Sequence, residues 1–291
     1  MSYVWTRLLT IAFWRHVFLS QKTYRSALEV IGITFVAAQI AEFFEIYPDL
    51  IKQDFVLHGM FATAALAGIW SRFPVTRIRH KIPGKDYHIE VRIGDILNAP
   101  NGIVISTNST FDTNISSKLI AADSLQGQFT LRYFNGEVAD LDRQISKALR
   151  STQHESASSP GKRRRYPLGT VAQVTAEGKV FYLVAMANLN ETGNARTNDQ
   201  DLDIILDGLW KALRDQGELG DLHVPLIGSG RGRLQIPRQK IIERIAQSFV
   251  YASKDGKIAN RIIITISDAD ARNYDLNLFQ VRDFLTLSLH T

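Results

Sequence analysis

The sequence predicts a mixed α/β domain, with helices on both faces of its sheet, preceded by an N-terminal two-helix transmembrane hairpin. Three observations predict it. The first third of the chain holds two apolar stretches of bilayer length with cationic flanks. Beyond about Tyr87, short apolar runs alternate with amphipathic ones, the pattern of βαβ units around a mostly parallel or mixed sheet. No cysteine occurs among the 291 residues. That excludes a disulfide framework, a thiolate metal site and a cysteine nucleophile.

The formal net charge of +5 is unevenly placed. Residues 1–92 hold 11 Lys/Arg against 7 Asp/Glu, whereas residues 93–291 hold 23 against 22. The near-neutral remainder argues against a domain that grips nucleic acid, which needs a basic face.

Residues 1–25 mix Tyr3, Trp5, Phe13, Trp14 and Phe18 with Arg7, Arg15, His16, Lys22 and Arg25. Aromatic rings beside cations suit a membrane–water interface. A signal peptide is a poor match, since hydrophobicity continues with no small-residue cleavage site. The hairpin follows over residues 26–81, with spans at about 26–47 and 55–73, 22 and 19 residues long. A bilayer core of about 30 Å needs roughly 20 helical residues. Pro48 to Asp54 allow only a tight turn between them. The first span carries Glu29, Gln39, Glu42 and Glu45. An ionised acid at its centre costs on the order of 3 kcal/mol, so Gln39 and Glu42 are expected to face a partner helix or a water-filled path. The competing reading is a buried helical hairpin in a soluble protein. The flanks favour the membrane: Arg7, Arg15, Lys22 and Arg25 precede the first span, and Arg72, Arg77, Arg79, Lys81 and Lys85 follow the second. This asymmetry makes the chain multi-pass with both termini cytoplasmic. Gly59, Thr63 and Ala67, with Ala64 and Gly68 beside them, form a stripe of small residues of the kind that lets helices approach closely in lipid. Small residues are also simply common in spans.

Residues 82–291 form the α/β domain. HIEVRIGDIL alternates as a strand, and GIVIST is a buried β-branched strand. TNISSKLIAADSL reads as helical, and VADLDRQISKALR as an amphipathic helix. Residues 151–165 have no apolar periodicity and read as a mobile loop. Strands VAQVT and KVFYLVAMAN follow, then helix DLDIILDGLWKALRDQ, strand DLHVPLI, loop GSGRGRL, helix PRQKIIERIAQSFVYASK, strand RIIITIS, and a last helix near Asn277–Leu289.

In open α/β sheets, ligands sit at the carboxyl ends of strands, and three such places stand out. Gly94-Asp95-Ile96 follows strand VRI, though a Gly-Asp turn is common. Thr107-Asn108-Ser109-Thr110 follows GIVIS, with side chains suited to sugar hydroxyls or to capping the next helix. Gly228-Ser229-Gly230-Arg231-Gly232-Arg233 follows HVPLI. Its glycines let backbone N–H groups approach an anion, and its arginines add charge. It lacks the Gly-Lys-Ser/Thr ending of a P-loop.

In this order, VRIGDI, IVISTNST and VPLIGSGRGRL resemble the macro domain, a module that binds ADP-ribose and related nucleotides. The resemblance covers about residues 88–270 and implies a macro-like sheet for residues 82–291. Pro167-Leu168-Gly169-Thr170 and the strand ending at Asn188 fall where the family has equivalents. Two spans ahead of a divergent macro domain resemble the membrane effector of macro-type Thoeris antiphage systems. That resemblance implies a bacterial inner-membrane protein. It further implies that a TIR-domain partner makes an ADP-ribose-derived nucleotide signal, that the macro domain binds it, and that a homo-oligomer forms. The membrane is then compromised, giving abortive infection. Carried over, Asp95 accepts the adenine amino group with Ile96 beside the ring. Asn108, with Ser109 and Thr110, lies near the distal ribose. Gly228, Ser229, Gly230 and Gly232 wrap the diphosphate, and Arg231 or Arg233 neutralises it. The bland alternatives are a turn role for Asp95 and a solvated charge for Arg233.

One departure bears on chemistry. Hydrolytic macro domains carry a glycine run after the Asn turn, and here Phe111-Asp112-Thr113-Asn114 stand there. The seven histidines are scattered and show no metal spacing. The expectation is therefore a sensor that binds a nucleotide, with no catalytic residue, no metal and no cofactor. The rival is a membrane-tethered ADP-ribosyl hydrolase; a helical-hairpin adaptor with an empty domain is a third reading.

Overall fold

A computed structural model describes residues 3–46, 54–116, 119–158, 161–190, 195–217, 219–228, 234, 236–274 and 276–289. The chain divides into two compact units, Met1–Val75 and Thr76–Thr291. The divide falls ahead of the expected boundary at residue 82, because RIRHK joins the sheet.

The first unit is helical. Helices α1 (Tyr3–Leu8) and α2 (Ile11–Leu19) are short, and the Thr10 side chain caps α2 by accepting from the Phe13 N–H at 3.3 Å. Helix α3 (Gln21–Phe43) has 23 residues, about 35 Å at 1.5 Å per residue. It is long and apolar enough to cross a membrane. Helix α4 (Asp54–Trp70) has 17 residues, about 25 Å, so the expected second span falls short of a bilayer core. The helix stops at Trp70, whose ring stacks on Phe73 at 5.3 Å. Among the described residues one helix qualifies on length and composition, and a multi-pass arrangement does not follow.

Helices α3 and α4 pack together. A Cβ added at Gly68 would lie 3.0 Å from the Thr23 carbonyl and 3.6 Å from the Ala27 Cβ. The end of α4 therefore meets the start of α3, and the pair is antiparallel. The less exposed positions of α4 are Val56, Met60, Ala64, Ala67, Gly68 and Ile69. Gly59 and Thr63 are exposed, and a Cβ at Gly59 meets nothing within 4 Å. The small residue at the close approach is thus Gly68, which the sequence sets beside the stripe, rather than Gly59 or Thr63. Gln39 and Glu42 are exposed on α3, away from this seam, and Glu29 pairs with Arg25 at 3.0 Å.

The second unit is built on an eight-stranded mixed sheet. Its strands are β1 (Arg77–Lys81), β2 (His88–Ile93), β3 (Ile103–Asn108), β6 (Val171–Ala176), β7 (Lys179–Leu189), β8 (Ala195–Arg196), β9 (Asp221–Pro225) and β10 (Arg261–Ile266). The order is β1-β2-β10-β9-β3-β7-β6, with β8 also on β7. The inner pairings from β2 to β7 are parallel, and the outer pairings of β1 and β6 are antiparallel. Carboxyl ends of five neighbouring strands therefore share one edge of the sheet.

One face packs on α5 (Leu125–Phe134) and α6 (Val138–Ala148). Ile103, Ile105, Phe181 and Leu183 meet Phe129, Leu141 and Ile145 there. The alternate residues Val104, Tyr182 and Val184 are buried as well, so the opposite face is also covered. Helices α7 (Asp199–Gln216), α8 (Arg238–Ala252) and α10 (Leu278–Ser288) supply that layer, with Trp210 edge-on to Phe249 at 5.5 Å. A short helix α9 (Asp268–Asn273) follows β10.

Two readings change here. TNISSKLIAADSL is turns and bends among its described residues. The helix begins at Leu125 because the Ser124 hydroxyl caps it, accepting from the Gly127 N–H at 3.1 Å. Residues 151–165 include a small antiparallel ladder of β4 (Glu155–Ser156) and β5 (Arg164–Arg165).

His223 in β9 is 1% exposed. Burial, then the neighbouring Arg92 guanidinium, pushes its pKa down to about 4. Arg92 Nη2 donates to Nδ1 at 3.3 Å, which places the imidazole proton on Nε2.

Candidate functional site

The sheet brings the described members of all three sequence-predicted places to the carboxyl ends of β2, β3 and β9. The Gly94 N–H donates to the Ile266 carbonyl at 2.9 Å, tying the first loop to β10. Asp95 then caps a 3-10 turn over Ile96–Asn98: Oδ1 accepts from the Leu97 N–H at 2.9 Å. Its other oxygen, Oδ2, lies 3.3 Å from Arg132 Nη1, and each side chain is 45% exposed. Arg132 Nη2 donates to Asn98 Oδ1 at 2.8 Å. Ile96 turns inward and joins the apolar cluster with Phe129 and Phe181, so its side chain is a core contact.

The Asn108 loop closes on itself. Asn108 Nδ2 donates to Asp112 Oδ2 at 3.0 Å, while Oδ1 accepts from the Thr110 hydroxyl at 3.0 Å and the Asp112 N–H at 3.1 Å. The Asp112 carboxylate is 4% exposed and also accepts from the Thr110 hydroxyl and the Lys162 N–H. Phe111 sits between them at φ +50°, a left-handed conformation costly for a bulky residue. Its ring is held edge-on to Tyr166 at 5.6 Å. Ser109 is fully buried. Its N–H donates to the Ala187 carbonyl and its carbonyl accepts from the Tyr166 N–H, both at 2.8 Å. Its hydroxyl has no partner among the described residues.

Gly228 ends the third strand region at φ +72°, where a Cβ would overlap the Leu234 side chain. Its carbonyl accepts from the Leu234 N–H at 3.2 Å, closing the base of the glycine-rich loop. Ser229, Gly230, Arg231, Gly232 and Arg233 lie outside the described residues. Helix α8 starts just beyond, with Pro237 as its N-cap.

Sequence reasoning missed Arg132, Asp112 and Lys162. Asp112 stood in the segment read only for its missing glycines. Lys162 belongs to the loop read as structureless, yet its ammonium bridges the Phe111 carbonyl and Asp142, both at 2.6 Å. Arg132 carries no local signal, because its partner is 37 residues away.

Residues 89–267 match the family described as "Thoeris protein ThsA, Macro domain". The chain is 28% identical over 148 residues to Thoeris protein ThsA of Bacillus amyloliquefaciens (strain Y2), which covers 49% of this chain and 48% of that protein. It thus spans about half the length of that relative. Among solved structures, a point variant of the Oceanobacillus iheyensis macrodomain aligns with a TM-score of 0.50 at 11% identity, over 73% of this chain and 100% of that one. The same macrodomain with MES bound aligns at a TM-score of 0.48 and 12% identity, over 72% and 97%. At such identities the first likeness speaks for the fold alone. Strand order, the three loops and the family match agree, and the chain belongs to the Thoeris ThsA macro-domain family of antiphage defence proteins.

Proposed function

We propose that this chain is a membrane-anchored effector that senses an ADP-ribose-type nucleotide signal made by a TIR-domain partner. On binding, it assembles into a homo-oligomer and compromises the bacterial inner membrane. The observation that carries the reading is the joining, in one chain, of a 23-residue apolar helix to a macro-fold site. In that site Asp95, the Asn108 loop and Gly228 follow the parallel strands β2, β3 and β9, with β10 between β2 and β9. In the resting site the Asp95 carboxylate is half exposed, open to an adenine amino group once Arg132 moves aside. The Leu234 N–H bond to the Gly228 carbonyl ties together the two ends of the glycine-rich segment expected to meet the phosphates. Signal binding drives assembly only to the extent that the nucleotide binds the assembled state better than the resting one.

The domain acts as a sensor rather than a hydrolase. The amide of Asn108 is committed to Thr110 and Asp112, which leaves it poorly placed to orient an attacking water or a distal ribose. No cofactor enters this scheme.

The experiment uses full-length protein in detergent and in sealed vesicles. ADP-ribose-type nucleotides, including the product of a partner TIR enzyme, should increase particle size and release an entrapped dye. Size and permeability that ignore every such nucleotide remove the effector reading. Turnover of ADP-ribosylated protein would put the tethered hydrolase in its place.

A further inference from the structure

One face of the sheet carries a basic strip across β1, β2, β10 and β9. In the antiparallel register Arg77 lies opposite Arg92 and Arg79 opposite Glu90. In the parallel registers Arg261 lies beside Asp221. Alternation along each strand puts these side chains, with Lys81, on one face. Arg77 and Arg79 are 53% and 47% exposed, and Lys81 is exposed too. Beneath them the Glu90 carboxylate, 2% exposed, meets Arg77 at 2.8 Å and Arg79 and Arg261 at 3.2 Å each. A single carboxylate does not neutralise three guanidiniums. Five cations (Arg77, Arg79, Lys81, Arg92, Arg261) stand against two carboxylates (Glu90, Asp221), a net of +3 that reaches solvent at the β1 edge of a face otherwise buried at His223, Ile263 and Thr265.

Chain connectivity limits how far the first strand of this strip can lie from the end of α4. Within the helical unit, Gly68 lies against Thr23, so α4 returns the chain to the level at which α3 begins. Residues 71–76 alone separate Trp70 from Arg77. Even fully extended, that connection reaches about 25 Å. Arg77, the first residue of the strip, is therefore tethered within that reach of the end of α4.

We propose that this basic strip docks on anionic lipid headgroups of the membrane that holds α3. The proposal rests on the membrane reading given above. Lipid phosphates suit exposed guanidiniums, which carry several N–H donors and a permanent charge. Each basic residue near an anionic bilayer strengthens attachment about fivefold at low salt.

The cysteine-free chain makes a direct test available. Lys85→Cys, exposed in the β1–β2 turn and outside the strip, takes a single fluorophore in the full-length protein. Energy transfer to acceptor-labelled headgroups is then read in phosphatidylcholine vesicles with and without phosphatidylglycerol. The expected result at low salt is transfer higher by about twofold or more with the anionic lipid, lost at high salt. Adding Arg77→Gln and Lys81→Gln should lower the docked-to-undocked ratio about 25-fold. Glu90 keeps Arg79 and Arg261, so the fold survives, and Arg77→Lys should restore docking. Transfer that ignores lipid charge, salt and both substitutions, in protein that resists carbonate extraction, overturns the docking alone. Release by carbonate overturns the membrane reading and the docking with it. Stronger binding of a fluorescent oligonucleotide that displaces the vesicles would overturn the lipid assignment.

Discussion

Arg132 on α5 holds the Asp95 carboxylate at 3.3 Å while its second nitrogen grips Asn98 at 2.8 Å. The residue expected to read adenine is thus already engaged, half in solvent, by a cation from another element.

Asp95→Ala removes an N-cap and should cost about 0.5–2 kcal/mol of stability. Its larger effect should be on ADP-ribose affinity, a loss of about ten- to a hundredfold by calorimetry. Arg132→Ala should cost under about 1 kcal/mol, as expected of an exposed pair, and leave affinity unchanged or improved. Loss of binding in a folded Arg132→Ala protein would show that the arginine, rather than the carboxylate, reads the ligand.

Asp112→Ala strands the donors of Asn108, Thr110 and Lys162 in a buried loop. A loss of about 3 kcal/mol or more is expected in urea denaturation of the full-length protein in detergent. A loss below about 1 kcal/mol would mean that the loop relaxes into water and does not depend on closing on itself through Asp112.

Gly228→Ala forces a side chain into a left-handed backbone and against Leu234. It should destabilise by about 1–3 kcal/mol. Adding Leu234→Ala should relieve the overlap without relieving the backbone, so recovery is partial. Full recovery would locate the whole cost in the overlap.

His223 sets a pH window. Its pKa is about 4 folded, against about 6.5 unfolded. Between those values the unfolded chain binds the extra proton, so stability falls as pH drops from about 6.5 to 4 and is restored above it. The full difference is about 3 kcal/mol. Arg92, Asp221, Arg261 and Glu90 all act on the ring. His223→Gln, which can still accept from Arg92, should flatten this part of the profile. An unchanged slope would assign it to the carboxylates.

Gly68→Leu pushes into the Thr23 backbone, whose carbonyl lies 3.0 Å from where the new Cβ would stand, and should separate α3 from α4. Gly59→Leu with Thr63→Leu adds bulk to an open face and should leave the helix pair intact. Crosslinking between Cys residues placed on α3 and α4 reads the difference. If both variants assemble and release dye normally on signal addition, neither helix surface guides oligomerisation.

Much of the sheet was legible because its strands carry local signals. The β-branched run of β3 and the proline-bearing β9 sit where the apolar runs put them, β9 ending two residues earlier at Pro225. What failed was governed by partners distant in sequence. TNISSKLIAADSL has helical texture, but Ser124 offers a better start one residue before Leu125. RIRHK reads as a cationic flank until β2 pairs with it. Residues 151–165 look structureless because their order comes from Asp112, reached through Lys162. In the site, the positions of Asp95 and Asn108 were readable from the strand–turn pattern. Their actual hydrogen bonds were not, since Arg132 and Asp112 carry no periodic or motif signal.

The position of β10 has a consequence for biosynthesis. It is the last strand of this sheet to be translated, yet it alone joins β1–β2 to β9–β3–β7–β6. The half bearing Asp95 and the half bearing Asn108 and Gly228 stay separate until residues 261–266 have left the ribosome. Helix α3 emerges more than two hundred residues earlier. A nascent or prematurely terminated chain therefore presents an apolar helix long enough to cross a membrane before the three strand-end loops are assembled on one sheet. If the proposed function holds, control by the signal begins only when the sheet closes.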